Sequence, residues 1–291
     1  MYFRQLAAAA AVLTFALMVL GSVVHATGSS LACPDWPLCN GTAFPQMTGG
    51  VFFEHSHRLV ALAVAALALV LFVRSRRLRR ASTRRLAALA VGLIAVQASL
   101  GALTVVLRLP PFVSIAHLTT SMCVLATFVL LAIDAAPHAP ATASGGFDSP
   151  AWPMAAVAAA FGQVVLGAAV RHLGAALSCT DVPMCDGVLL PAAALARVHM
   201  VHRVIAVVAA AIVIRAALSV RARTAPGSAL RWFSLVPCAL VSAQLVLGVA
   251  VVLSFASLGY VTAHHATAAL LWASLVALWR WTRFPRPVTS G

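Results

Sequence analysis

The chain has 291 residues, of which 62% are hydrophobic and only 9% are charged. About a quarter of the residues in an ordinary soluble domain are charged, so this composition excludes a soluble globular protein and indicates an integral membrane protein. The net charge of +14 does not indicate nucleic-acid binding, because every basic residue is an arginine and most lie in short gaps between apolar runs.

Eight apolar segments are long enough to cross a hydrocarbon core of about 30 Å as helices. The first follows Arg4 as a secretory signal would, but it is longer than the apolar region of a signal, so we expect it to be retained. The predicted spans are 5–25, 53–73, 86–107, 113–133, 151–171, 198–218, 232–253 and 260–280.

Arginines concentrate on one side of the membrane if these segments alternate in direction. Seven lie in the stretch from Arg74 to Arg85, three lie between the sixth and seventh segments, and Arg4 precedes the first. Positively charged gaps face the cytoplasm. We therefore expect a multi-pass protein of the cell membrane with both termini cytoplasmic and two longer loops outside, at about 26–52 and 172–197.

The two halves of the chain repeat one another. The stretch from Leu20 to Gly41 aligns without a gap with the stretch from Leu166 to Gly187. We predict an all-α integral membrane fold of two tandem four-helix bundles, related by an axis along the membrane normal. Residues 1–135 form the first half, 136–150 a cytoplasmic linker rich in Ala, Pro, Gly and Ser, and 151–291 the second half.

Four histidines recur at matched places near the outer ends of the helices: His57, His117, His202 and His264. Ionisable residues inside a membrane span are costly and tend to be functional. Two imidazoles in each half, on two helices at one depth, can supply both axial ligands of a heme iron. Zinc or copper also binds imidazole, but no further ligand stands at zinc spacing beside each pair, so heme is favoured.

The last span offers two successive histidines, and the repeat favours His264 over His265. Gln244 precedes His264 by the same interval that separates Gln97 from His117. Such glutamines begin a repeated motif, Gln-x-x-Leu-Gly, at Gln97, Gln163 and Gln244. Helix packing through small residues is the favoured interpretation of this motif, and a glutamine that faces a cofactor is the alternative.

Glu54 is the only glutamate and stands one helical turn before His57. A carboxylate beside a heme could relay protons or activate a water, so Glu54 is the candidate catalytic residue, with a structural ion pair to Arg58 as the alternative. His199 replaces it in the second half, which suggests that one site performs chemistry and the other carries electrons. Arg58 and Arg203 could bind heme propionates or simply lie at the membrane interface.

Each outer loop carries a cysteine pair, Cys33 with Cys39 and Cys179 with Cys185. Disulfides persist outside the cytoplasm, and closing a ring of about seven residues would stabilise a loop by roughly 2–2.5 kcal/mol on the chain-entropy model. Structural disulfides are favoured, and redox-active dithiols remain the alternative.

The sequence resembles the heme A synthase family over nearly its whole length. The resemblance rests on Thr27-Gly28-Ser29-Ser30-Leu31-x-Cys33-Pro34-Asp35-Trp36-Pro37-Leu38-Cys39, then Glu54-x-x-His57-Arg58, and the later His117, His202-Arg203 and His264. It implies an oxidoreductase that converts heme O to heme A by oxidising a ring methyl to a formyl group, and so supplies cytochrome oxidase.

The resemblance also implies roles for single residues. His57 and His117 would flank the substrate heme O, and His202 and His264 would be the axial ligands of a resident heme b. Glu54 would occupy the family's catalytic carboxylate position. The two cysteine pairs would match its outer-loop disulfides.

Two other function classes fit parts of the pattern. A diheme b-type cytochrome that carries electrons between quinol and a partner would use the same four histidines, and the repeat alone would suit a transporter. The enzyme is favoured because Glu54 occurs in only one half. The synthase that makes heme O is the expected handover partner. The electron donor, the oligomeric state and the choice between oxygen and water as oxygen source stay open.

Overall fold

A computed structural model describes residues 2–135 and 151–283 of the chain, and these residues form helices and connecting loops. The linker predicted at 136–150 lies outside the described residues, as do residues 284–291. The helices are α1 (Tyr2–Ala26), α2 (Gly49–Ser75), α3 (Ala81–Val106), α4 (Pro111–Asp134), α5 (Ala151–His172), α6 (Ala194–Ala222), α7 (Ala229–Phe233), α8 (Leu235–Leu253) and α9 (Leu258–Trp281).

Eight spans in the described part of the chain are long and apolar enough to cross a membrane. The all-helical, multi-pass architecture predicted from the sequence is therefore confirmed. The seventh span consists of the short α7 followed by α8, with Ser234 between them. Pro237 explains this break, because proline has no N–H to donate and its ring clashes with the carbonyl four residues earlier.

The same packing scheme occurs in both halves. In the first half, α1 packs against α2 and α4, and α3 packs against α2 and α4. In the second half, α5 packs against α6 and α9, and α8 packs against α6 and α9. The halves meet through α1 with α9, α4 with α5, and α4 with α9. The tandem arrangement about an axis along the membrane normal stays a prediction, with which these contacts agree.

Two connections at the histidine end of the bundle turn in the same way. Between α3 and α4, Arg108 and Leu109 have φ values of 56° and 64°. Between α8 and α9, Phe255 and Ala256 have φ values of 51° and 57°. Two successive left-handed residues are unusual outside glycine, so each helix pair closes through the same demanding turn.

The core between the halves is built from small and medium apolar side chains. Alanines such as Ala156 and Ala269 are fully buried there, and small residues let membrane helices approach closely. The indole of Trp272 donates a hydrogen bond of 2.8 Å to the carbonyl of Met122 in the other half. At the opposite end from the histidines, Asp134 and Arg280 form a 2.7 Å ion pair that also joins the halves.

Candidate functional site

Each of the four predicted histidines packs against a glycine of a neighbouring helix. A Cβ atom on that glycine would lie within 3.0–3.3 Å of the histidine Cε1 atom, closer than ordinary van der Waals contact. Only glycine therefore leaves the imidazole its present place against the helix backbone. The four pairs are Gly21 with His57, Gly101 with His117, Gly167 with His202, and Gly248 with His264.

Three of these histidines also contact the glutamine that begins the repeated motif. The Nε2 atom of Gln97 lies 3.4 Å from a ring nitrogen of His117, and that of Gln244 lies 3.1 Å from a ring nitrogen of His264. Gln163 approaches a ring nitrogen of His202 at 3.0 Å. The motif thus places a hydrogen-bonding amide and, one turn later, a glycine against the same imidazole.

The sequence motif predicts helix packing through small residues, and the glycine contacts agree with that prediction. The glutamine contacts go further, because the amide touches the imidazole ring itself. The interval of four residues between glutamine and glycine, one helical turn, was the signal for this arrangement. In the first span Leu17 takes the glutamine's place, so His57 has the glycine contact without a matching amide.

The histidines of each half lie close enough to interact. His57 and His117 are within electrostatic reach of one another, as are His202 and His264. His264 has the same glycine and glutamine contacts as His117. His265, next in the chain, interacts electrostatically with Arg171 and His264.

One direct observation supports the binding of a heme iron by these histidines. The Nδ1 atoms of His57, His117 and His264 are buried and have no hydrogen-bond partner among the described residues, and the same is true of the neighbouring His55 and His199. A buried polar atom without a partner is costly, and coordination to a metal is one way to satisfy it. Each half therefore offers at least one imidazole nitrogen suited to iron.

Glu54 lies under the first outer loop and is only 4% exposed. One carboxylate oxygen accepts a 2.8 Å hydrogen bond from the backbone N–H of Cys33. The other forms a 2.7 Å ion pair with Arg58. Both oxygens are thus engaged in holding the loop, in agreement with the structural alternative, while the predicted catalytic role stays a prediction.

Arg58 and Arg203 both fasten an outer loop to the helix below it. Arg58 donates to the carbonyls of Cys33 and Asp35, at 2.8 and 2.7 Å, and also to that of Leu38. Arg203 donates to the carbonyls of Cys179 and Asp181, at 2.7 and 2.6 Å. Their terminal nitrogens face the loops, so contact with heme propionates stays a prediction that these bonds do not favour.

The two loops are closed by the predicted disulfides, Cys33–Cys39 and Cys179–Cys185. All four cysteine side chains of the loops are buried, whereas the free cysteines, Cys123 and Cys238, are partly exposed. His55, 6% exposed, lies beside the first disulfide, and Met200 packs against the second. Because the two sulfurs near His55 are bonded to each other, this cluster offers no thiolate to a metal.

The first loop is also tied by an aspartate. The carboxylate of Asp35 accepts hydrogen bonds from the N–H groups of Asn40 and Gly41, at 2.6 and 2.8 Å. These bonds, above all that from Gly41, hold the pKa of Asp35 below its ordinary value. In the second loop Asp181 accepts a longer bond of 3.3 Å from Asp186. Asp35 therefore supports the loop in its ionised form, and this support is lost as the pH falls through its pKa.

Comparison with known proteins shows the family of this chain. The model of the family described as cytochrome oxidase assembly protein matches residues 4–276. A heme A synthase of Bacillus licheniformis is 30% identical over 257 residues, which cover 85% of this chain and 85% of that protein. Heme A synthases of Halalkalibacterium halodurans, 28% identical over 89% of the chain and 90% of the relative, and of Shewanella oneidensis, 25% identical over 92% of each, are also similar. The chain belongs to the cytochrome oxidase assembly protein family, the family of these heme A synthases.

Proposed function

We propose that this chain is a heme A synthase, a membrane oxidoreductase that oxidises a methyl group of heme O to the formyl group of heme A for cytochrome oxidase. The single structural observation that carries the proposal is that the Nδ1 atoms of His57, His117 and His264 are buried without a hydrogen-bond partner among the described residues. Family membership over residues 4–276 and the names of the relatives support it.

In this proposal the two halves have different tasks. His57 and His117 flank the substrate, heme O, and His202 and His264 are the axial ligands of a resident heme b. That heme supplies one-electron redox chemistry when bound. The buried, unpartnered nitrogens of His57, His117 and His264 support the assignment, and the shared contacts of His117 and His264 favour His264 over His265.

The chain's own residues hold and enclose these sites. Gln97, Gln163 and Gln244 orient three of the imidazoles through their side-chain amides, as residues around a metal ligand commonly do. Glu54 and Arg58 hold the first disulfide loop at the end of the bundle that carries the histidines. Glu54, one turn from His57, is also the proposed acid–base group beside the substrate.

The proposed orientation places the histidine end of the bundle and both disulfide loops outside the cytoplasm. The arginine-rich stretch that joins α2 to α3 lies at the opposite end, and positive charge favours the cytoplasmic side. The ion pair of Asp134 and Arg280 lies at that same end. The handover of heme O from the synthase that makes it belongs to this proposal as well.

The function is tested by heme analysis in cells that make heme O but lack heme A. Expression of the chain should produce heme A, identified by chromatography and absorption spectrum of the extracted pigment. An unchanged pigment in a protein that binds heme would favour the diheme electron carrier instead. A colourless protein would contradict both.

Neighbouring histidines provide a matched control for the resident heme. His264→Gln should remove the b-type spectrum, and His265→Gln should retain it, although both changes are equal in chemistry and adjacent in the chain. Loss of the b-type spectrum in His265→Gln and its retention in His264→Gln would show that His265 is the ligand.

Glu54→Gln separates the two roles of the glutamate. The amide can still accept the hydrogen bond from Cys33, but it loses the ion pair with Arg58 and cannot ionise. Heme binding should persist, and if Glu54 acts as an acid or base, heme A output should fall by about 10²-fold or more and further than in Arg58→Leu, which breaks the same ion pair. Full output would leave Glu54 with the loop-holding role alone.

A further inference from the structure

A bound heme brings two carboxylates with it, and the arginines expected to receive them are engaged elsewhere. Both terminal nitrogens of Arg58 and of Arg203 donate hydrogen bonds to loop carbonyls, and Arg58 pairs with Glu54 as well. Carboxylates in a membrane protein need a cation or several donors, because burying them without partners is costly. Another basic group should therefore lie near the histidines.

Such a group stands at the end of α5, where it reaches across to α1. Arg171 donates to the hydroxyl and the carbonyl of Ser22, at 3.2 and 3.0 Å. Its Nε atom is buried and has no hydrogen-bond partner among the described residues. Neither ion pair in the part of the chain that the structure describes involves Arg171. This guanidinium thus has no anionic partner within residues 2–135 and 151–283.

Two imidazoles accompany Arg171 at the same junction. The rings of His25 and His172 meet edge to face, with centroids 5.0 Å apart. His25 ends α1 and His172 ends α5, so the contact joins the first half to the second. The cluster of Arg171, His25 and His172 therefore combines three side chains able to donate hydrogen bonds to an anion.

The cluster lies between the two histidine sites. Ser22, to which Arg171 donates, directly follows Gly21, which packs against His57 in the first half. Arg171 itself lies one helical turn after Gly167, which packs against His202 in the second half. A ligand held by the histidines of either half can thus direct carboxylates toward the junction of the halves, where Arg171 contacts Ser22.

We propose that the cluster of Arg171, His25 and His172 binds the carboxylate side arms of the porphyrins held in the two halves. The planar guanidinium suits a carboxylate, and its Nε–H is the donor left over by Ser22. The inference rests on the proposed function, because it takes the ligands to be hemes. It assigns their carboxylates to the interface between the halves rather than to Arg58 and Arg203.

The test compares two porphyrins that differ only at their carboxylates. Full-length protein, purified from heme-depleted cells, is titrated with ferric heme and with its dimethyl ester, and binding is followed by absorption. The wild type should prefer the free acid by about tenfold or more, since hydrogen bonds to charged groups are worth at least that factor. Arg171→Leu should lose most of this preference while binding the ester like the wild type.

Arg108→Leu is the matched control, because Arg108 is an exposed arginine in the α3–α4 connection at the same end of the bundle. It should keep the wild-type preference. An Arg171→Leu variant that prefers the free acid as strongly as the wild type would overturn the inference, as would a wild type that binds both porphyrins equally. If a lipid phosphate is the true ligand of the cluster, Arg171→Leu should likewise prefer the free acid as strongly as the wild type does.

The outcomes also separate this inference from the proposed function. A wild type that binds neither porphyrin would overturn both. Should Arg171→Leu bind neither porphyrin, His172→Gln carries the test: a reduced preference for the free acid supports the site, and an unchanged preference overturns it.

Discussion

Replacing Gly167 by alanine tests whether the glycine contacts hold the histidines in place. A Cβ at this position would lie 3.2 Å from Cε1 of His202. The imidazole cannot simply turn aside, because the amide of Gln163 contacts its ring and also donates a 3.0 Å hydrogen bond to the backbone carbonyl of His202. Gly162 lies on the same helix, and a Cβ there would meet nothing within 4 Å.

The two substitutions share one effect and differ in another. Alanine is favoured over glycine inside a helix by about 1 kcal/mol, and this gain applies to both positions. Overpacking at Gly167 costs about 1–3 kcal/mol, because the ring or the helix must move by a few tenths of an ångström. We therefore expect Gly167→Ala to be less stable than Gly162→Ala by about 1–3 kcal/mol.

Stability is measured by denaturant unfolding of the purified protein in detergent, followed by circular dichroism. The absorption spectrum of bound heme is recorded in the same samples and should change in Gly167→Ala only. Equal unfolding free energies together with identical heme spectra in the two variants would refute the reasoning, because the close approach would then have no consequence for His202.

Three further predictions concern single contacts. Gln244→Leu should keep the bound heme but shift its reduction potential, because the amide no longer touches the His264 ring; an unchanged potential in a redox titration would contradict this. Arg58→Leu should make the first loop sensitive to limited proteolysis while the second loop stays protected, and equal protection of both would refute the anchoring role. Trp272→Phe should lower the free energy of unfolding by about 1 kcal/mol through loss of the bond to the Met122 carbonyl, whereas an unchanged unfolding midpoint would make that bond unimportant.

The histidines could be identified from the sequence because a polar residue inside an apolar run is conspicuous. His57, His117, His202 and His264 recur at matched places in both halves, and the structure gives each of them a glycine contact. The roles of Arg58 and Glu54 could not be read in the same way. An arginine after a histidine is compatible with a propionate, a carboxylate or a loop carbonyl, and the sequence contains no information on which of these lies within reach.

The sequence by itself determined the eight membrane helices and the two cysteine loops, because span length, apolar composition and charge placement are local properties of the chain. Only the tertiary structure decided which side chains meet between helices. Gly167 faces His202 and Arg171 crosses to Ser22 because of how the helices pack and rotate, and spacing along one helix does not specify that. The physical reason is that burial of a long apolar segment is enough to hold a helix in the bilayer. Which helices pack against it depends on close contacts between residues far apart in the chain.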